Sequence, residues 1–518
     1  QASNRLLLGM ADRSDKLALT TRQLTVLLGS GSALLLLCLR RRKPHHSNEP
    51  PDATGSLPLL GNALAYQKDP PGFLRAQWAL LGDCFRLNLA GLLSTVVSGR
   101  REIELVANAP ASQLSAREAH ADVGFDAMMG TLNVNFGTDL HRWVLKSDAF
   151  REELNSGAPG LKQAVKQAIA AHFPSGSDGQ IPDFIEVMRS MTLHAVVVHL
   201  LGEEVLKAYN LLGGDLVKEY MRFQDHVEDA TAKGVCLPWV IALPFMWKPV
   251  SWRMWRMIRR LAVAMEQAHK AGSRGLWSAS IQSLPNKSDL PCWRQVLQEE
   301  PSRTGGPVTF LEAAELAMGL LFVSHKNPAI GAAQTILFLL EHSDVSQIVQ
   351  KEIQSQSNAG NNLPQPAADV ASVNETALQR SITEALRLCS LTIGGIRKVM
   401  PASGFEICSS GSRFIVPCGE YIALPHQLLC RDAQLFQEPH SFNPARFHDK
   451  AYNEVQLPIF SLGIHKCPGR IYAFHLMQAF ISELLSTYTF EASGKLPPLD
   501  FERATLAQRR GKCRIRFQ

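Results

Sequence analysis

The stretch that most constrains this chain lies near its C-terminus: Phe460-Ser461-Leu462-Gly463-Ile464-His465-Lys466-Cys467-Pro468-Gly469-Arg470. Two glycines and a proline prevent a continuous helix or strand there, so the stretch reads as a tight loop carrying one cysteine. Directly after it, Ile471, Phe474, Met477, Phe480, Ile481, Leu484 and Leu485 recur at helical spacing. They predict a helix over 471–485 that is buried on one face. Cys467 thus stands just before a buried helix N-terminus, where free N–H groups and the dipole favour a thiolate. Gly463 and Gly469 allow sharp turns and a close approach to something flat on either side of the sulfur. A buried structural cysteine is the plainer reading, and the rest of the chain has to decide between the two.

At 518 residues the chain has room for one large or several medium domains. No strong internal linker or repeat divides it, which points to a single large, mainly helical body. A hydrophobic fraction of 46% supplies a sizeable core, and a net charge of +6 is mild for this length. Such a charge suits an anionic membrane or an acidic partner, not a nucleic acid. The ten cysteines are scattered without a Cys-x-x-Cys pair, which argues against a zinc site or a disulfide framework and for a reducing compartment.

Taken in order, residues 1–22 form a polar tail, and residues 23–43 hold the uncharged Leu24–Leu39 run closed by Arg40-Arg41-Arg42-Lys43. Basic residues downstream of the apolar run predict a membrane anchor with the main body in the cytoplasm; a cleaved signal peptide carries them upstream. Residues 44–62 are rich in proline and glycine and read as a stiff hinge, leaving 63–518 as the body. Cys84–Ser98 reads as a hairpin around Ala90-Gly91. Glu312–His342 is a strongly apolar helix expected to run through the core, interrupted by Ser324-His325-Lys326-Asn327-Pro328. Pro328 has no N–H for the Ser324 carbonyl, so the helix must kink or open there. A polar break in an apolar central helix is expected over a reaction site; a plain proline kink with solvated His325 and Lys326 is the alternative. Thr376–Ser390 is a further helix, on which Glu384 and Arg387 share a face. Arg446 follows in the turn Phe442–Phe447, and one carboxylate between two guanidinia can stay satisfied when buried. Phe414–Leu424 reads as short strands around Pro417–Glu420.

The loop pattern Phe-x-x-Gly-x-x-x-Cys-x-Gly, with Glu384-x-x-Arg387 and the Pro444–Phe447 turn before it, resembles the cytochrome P450 superfamily over essentially the whole chain. The resemblance implies a mainly α fold with small β-sheets, preceded by an N-terminal transmembrane helix. It implies haem b, with Cys467 as the axial ligand of the iron and its thiolate favouring O–O cleavage. Phe460, Gly463 and Gly469 then shape the haem loop, His465 and Arg397 meet the propionates, and Trp143, with Arg142 or Lys146, approaches from another helix. Glu384, Arg387 and Arg446 become a structural triad. Electrons are expected from NADPH through a separate reductase docking on the cysteine side, where Lys466 and Arg470 offer positive charge. The implied location is the endoplasmic reticulum membrane.

This sequence departs from the family pattern in the central helix. Where most monooxygenases of the superfamily place an acid–alcohol pair for proton delivery, it has Lys326 and Asn327, with Ser324 upstream. These three are the candidate catalytic residues. Asn can orient a water, whereas Lys is a poor acid relay. Asn in the alcohol position resembles the group of cholesterol and oxysterol 7α-hydroxylases, sterol 12α-hydroxylase and prostacyclin synthase. Cys467–Ala473, Leu496–Asp500 and Gly511–Ile515 agree with that group, and Gly511–Ile515 with Ile396–Val399 leans towards its 24-hydroxycholesterol 7α-hydroxylase branch. Lys326 and Ala445 fit no branch. Three functions follow: a monooxygenase acting on a sterol or oxysterol, an isomerase of a lipid peroxide needing no reductase, or a haem-binding protein without turnover in which Lys326 competes for the iron.

Overall fold

The computed structural model describes residues 48–58, 60–130, 132–133, 138–173, 179–234, 242–273, 275–282, 286–287, 306–358, 376–409, 411–448, 452–502 and 505–518. The expected tail and anchor, residues 1–43, lie outside them. Among the described residues no single helix is long and apolar enough to cross a membrane.

Helices dominate. Those that build the site are α1 (Arg100–Asn108), α2 (Thr138–Leu145), α3 (Phe184–Leu200), α4 (Leu216–Gly234), α5 (Lys248–Lys270), α6 (Phe310–Ser324), α7 (Lys326–Glu341), α8 (Ala377–Leu388) and α9 (Arg470–Thr487). One five-stranded sheet accompanies them: β1 (Cys84–Leu89), β2 (Leu92–Val97), β3 (Leu114–Ser115), β4 (Gly395–Val399) and β5 (Tyr421–Leu424), in the order β1-β2-β5-β4-β3. The β1–β2 hairpin turns at Ala90-Gly91, where Ala90 takes a φ of 53°. β2 and β5 run parallel, and the other neighbours are antiparallel. Smaller sheets pair Phe405–Ser409 with Ser412–Val416, and gather the C-terminal Ile515–Phe517 with Gly179–Ile181 and Phe490–Ala492.

The part of the expected hinge that is described meets the sheet. Arg86 of β1 bonds Glu49 at 2.5 Å and Asp52 at 2.7 Å, and Ala53 donates its N–H to the Arg86 carbonyl. This ties the prolines to the sheet.

The central helix is two helices, α6 and α7, parted at His325, whose ψ of −46° is helical but whose φ is −116°. Pro328 leaves the Ser324 carbonyl without its donor, and Ser324 Oγ instead donates to the Leu320 carbonyl at 2.6 Å. The C-terminal helix α9 spans Arg470–Thr487, but burial on one face is corrected. His475 and Gln478, polar residues outside the apolar series, are buried with it. This helix packs between α7 and the helix Pro159–His172, so few of its faces reach water. Beneath the main core, a second cluster joins α1, β3, β4 and β5 to Leu462 of the cysteine loop. It seats that loop on the sheet.

Candidate active site

The cysteine loop is held by its backbone. The Cys467 N–H donates to the Phe460 carbonyl at 2.8 Å, and the Gly463 N–H donates to Glu454 Oε1 at 3.0 Å. Gly463 has a φ of 65°, and a Cβ there meets the Ala107 carbonyl oxygen of α1 at 2.4 Å. Its close approach is therefore to protein. Gly469, by contrast, has no atom within 4 Å of the position a Cβ would take. Gly463→Ala is expected to cost more than the roughly 1–2 kcal/mol of left-handed backbone alone, since the clash adds to it. An unchanged unfolding midpoint would contradict this account of the loop.

Burial pushes the Cys467 thiol above its ordinary value, against the Gly469 N–H and the Arg470 guanidinium that draw it down. Burial thus opposes the helix terminus and Arg470 at this sulfur. A bound metal cation is what deprotonates such a thiol. Among the described residues no group of three His, Cys, Asp or Glu side chains could hold an ion, so any metal must bring most of its own ligands. A porphyrin does that.

Near the loop stand Arg397, Arg142 and His465, with His426 packed close to Arg397. Arg397 of β4 is 4% exposed. Its Nη1 donates to the Ile396 carbonyl at 2.8 Å, and its buried Nε has no hydrogen-bond partner among the described residues. Burial lowers this guanidinium to about 10. His465 is pushed down to about 4 by burial and by the charges of Arg397, Arg142 and His120, and its Nε2 also lacks a partner. His426 is held at about 3 by burial and Arg397; it packs so tightly on Gly394 that any Cβ there overlaps the ring. Arg142 of α2 donates to the Ile464 carbonyl at 2.8 Å, and Trp143 beside it is half-buried against the main core. Orphaned donors on a buried cation fit a ligand bearing carboxylates. Haem, with two propionates and an iron that takes a thiolate, matches the set. His426 was missed by the sequence reading because no local pattern links it to Arg397.

Beneath the loop, Glu384 takes both arms of a fork from Arg387, Nε to Oε2 at 2.7 Å and Nη2 to Oε1 at 2.8 Å. Arg446 Nε and the Asn443 N–H reach the same Oε1 at 3.0 and 2.9 Å. Arg387 spends its other donors on the carbonyls of Cys430, Pro439 and Ser441. Every donor of this buried guanidinium is thus occupied. Between the two arginines and the core stands Phe436, 4.9 Å from Arg387.

On the central helix the three candidate residues part company. Val323 is 61% exposed and Asn327, one turn on, is exposed too, although the helix around them is buried. Residues four apart share a face, so Val323 and Asn327 mark one accessible face of an otherwise buried helix. Asn327 Oδ1 accepts the Leu506 N–H at 3.2 Å; that backbone donor fixes which end of the amide is oxygen and leaves its NH₂ as the remaining donor. Ser324 is half-buried and turned back on its own helix. Lys326, 1% exposed, is directed elsewhere, to Asp225 and Glu228 of α4 at 2.9 and 2.5 Å. On the cysteine side, the charge offered by Lys466 is matched by Glu454 at 2.8 Å.

Comparison with known proteins agrees with this arrangement. The chain is 22% identical to the lanosterol 14-alpha demethylase of Schizosaccharomyces pombe over 88% of its length and 90% of that protein's. It is 24% identical to cytochrome P450 7B1 of Mus musculus over 87% of its length and 86% of the relative's. With the 25-hydroxycholesterol 7-alpha-hydroxylase of Rattus norvegicus it shares 27% identity over 70% of this chain and 84% of that one. Sterol demethylases did not enter the sequence reading, which named only hydroxylases and prostacyclin synthase. The family model described as cytochrome P450 matches residues 50–517. The chain therefore belongs to the cytochrome P450 family, the haem-thiolate monooxygenases, which take a hydrophobic substrate and an electron-transfer partner.

Proposed function

We propose that this protein is a membrane-anchored monooxygenase that hydroxylates a sterol or oxysterol, 7α-hydroxylase-like in outcome. The observation that carries the reading is the accessible face of Val323 and Asn327, an apolar side chain beside one amide donor in the middle of a buried helix. A large apolar molecule with few polar groups suits such a face. Relatives named for sterol reactions cover most of the chain, which supports the substrate class. The endoplasmic reticulum membrane suits both an apolar substrate and residues 23–43 as anchor.

Haem bound here supplies dioxygen activation. Cys467 would hold the iron, while Arg397 and Arg142 would neutralise the propionates and the imidazole of His465 would hydrogen-bond one of them, with Trp143 alongside. Asn327 has its oxygen tied to Leu506, so its NH₂ can hold a water at that face and keep it oriented for proton delivery. The water held by Asn327 would then be the immediate proton source. A separate reductase would pass electrons from NADPH on the cysteine side. With Lys466 neutralised by Glu454, docking there has less fixed positive charge than the sequence implied.

Arg397→Gln is expected to leave the fold intact and speed the transfer of haem to an acceptor globin several-fold; an unchanged rate would remove Arg397 from the propionate site. The substrate reading is tested by product analysis on 24- and 25-hydroxycholesterol, cholesterol and lanosterol, with reductase and NADPH. A 7α-hydroxylated oxysterol is expected. Conversion of lanosterol alone would place the protein with the demethylases.

A further inference from the structure

Helix α4 lies along the broken central helix in a regular register. Tyr220 Oη donates to the Met318 carbonyl at 2.5 Å, Gln224 Nε2 to the Phe322 carbonyl at 3.2 Å, and Lys326 Nζ to Glu228 Oε2 at 2.5 Å. Each pair is 98 residues apart, so both helices advance by four residues per contact and run parallel. One polar contact per turn is the spacing that a shared helical face dictates. The first two contacts grip the last two turns of α6, and the second falls on Phe322, among the last four carbonyls, which run out of intrahelical donors. The third grips α7, beyond the break.

That third contact is also the strongest. Lys326 adds a bond to Asp225 at 2.9 Å, and Arg189 of α3 joins Asp225 at 2.7 Å and Glu186 at 2.8 Å. The ring of His325, the residue at the break, packs edge-on against Tyr220 at 5.7 Å. Lys326 is followed directly by Asn327, which lies on the accessible face and is pinned by Leu506. The angle between α6 and α7 therefore decides where Asn327 points; α3 packs on both halves, and α4 bonds both through this polar register.

We infer that α4 is a splint across the break in the central helix, and that Lys326 is the positioning residue that closes it and so fixes the pose of Asn327. This goes beyond the proposed sterol reaction and rests on it only for the role of Asn327. A lysine at this point of the helix is then no acid relay and no iron ligand. It ties the two half-helices to one frame.

The test uses the haem-loaded full chain, and its deciding measurement needs no substrate. Amide hydrogen exchange is measured on wild type, Lys326→Met, Lys326→Arg, Lys326→Glu, and the exchange pair Lys326→Glu with Glu228→Lys. In Lys326→Met, amides of Lys326–Ile330 and of α4 are expected to exchange several-fold faster, while those of α8 stay unchanged. Lys326→Arg should restore the wild-type pattern, and the paired variant should recover most of what Lys326→Glu loses. Alongside, the share of NADPH recovered in product should fall in Lys326→Met and return in Lys326→Arg. Unchanged exchange around the break, an equal rise over the whole chain, or failure of arginine to rescue would overturn the splint. If Lys326→Met gives no haem-loaded protein, the paired variant decides, and no recovery over Lys326→Glu overturns it. Because exchange is read without a sterol, a wrong substrate assignment leaves this outcome intact.

Discussion

Cys467→Ser is expected to abolish turnover and remove the thiolate signature from the absorption of the reduced, carbon monoxide-bound protein, while leaving the fold in place. A serine hydroxyl occupies nearly the same space, and the loop is held by the Cys467 N–H, Glu454 and the contact of Gly463 with Ala107, none of which involves the sulfur. What changes is the ligand. Iron lowers the pKa of a thiol far enough to hold it as a thiolate, and that electron donation is what favours O–O cleavage. An alcohol starts from a much higher pKa and donates less. Retention of the thiolate absorption in the serine variant would remove Cys467 from the iron.

The second large effect is on stability. Glu384→Ala leaves two buried guanidinia facing each other without their shared carboxylate, and Arg387→Ala strands the carboxylate and three carbonyls. Breaking a buried ionic network by removing one partner costs about 3–5 kcal/mol, against a total stability on the order of 5–15 kcal/mol. Either variant should accumulate poorly and fail to retain haem, because the segment that Arg387 and Arg446 fasten includes the turns leading to the cysteine loop. Arg446→Ala should be milder, since Arg446 makes one bond to Glu384 where Arg387 makes two. Equal haem content in wild type and Arg387→Ala, measured with the unfolding midpoint, would contradict a structural role.

Much of this was legible because it is local. The β1–β2 hairpin follows from alternating β-formers around Ala90-Gly91, and the break between α6 and α7 follows from one missing N–H at Pro328. The pairing of Glu384 with Arg387 follows from helical spacing. What was not legible is long-range. The partners of Lys326 lie 98 and 101 residues earlier, and nothing in Ser324–Pro328 announces a carboxylate on another helix. The same holds for His426 beside Arg397, which only the β4–β5 pairing and the Gly394 contact bring together. Burial of α9 on most faces was not legible, because polar residues such as His475 and Gln478 ordinarily mark a solvent side. At Cys467 the sequence shows the helix terminus that favours a thiolate but not the burial that opposes it.

The central claim is that this chain performs haem-thiolate monooxygenation on a sterol. It is tested most directly by supplying the holoprotein with its sterol, a P450 reductase, NADPH and isotopically labelled dioxygen, and weighing the product. The account predicts one labelled oxygen atom in the product and no product without reductase. An unlabelled product, or rearrangement of a lipid peroxide without any reductant, would contradict it and make the protein an isomerase.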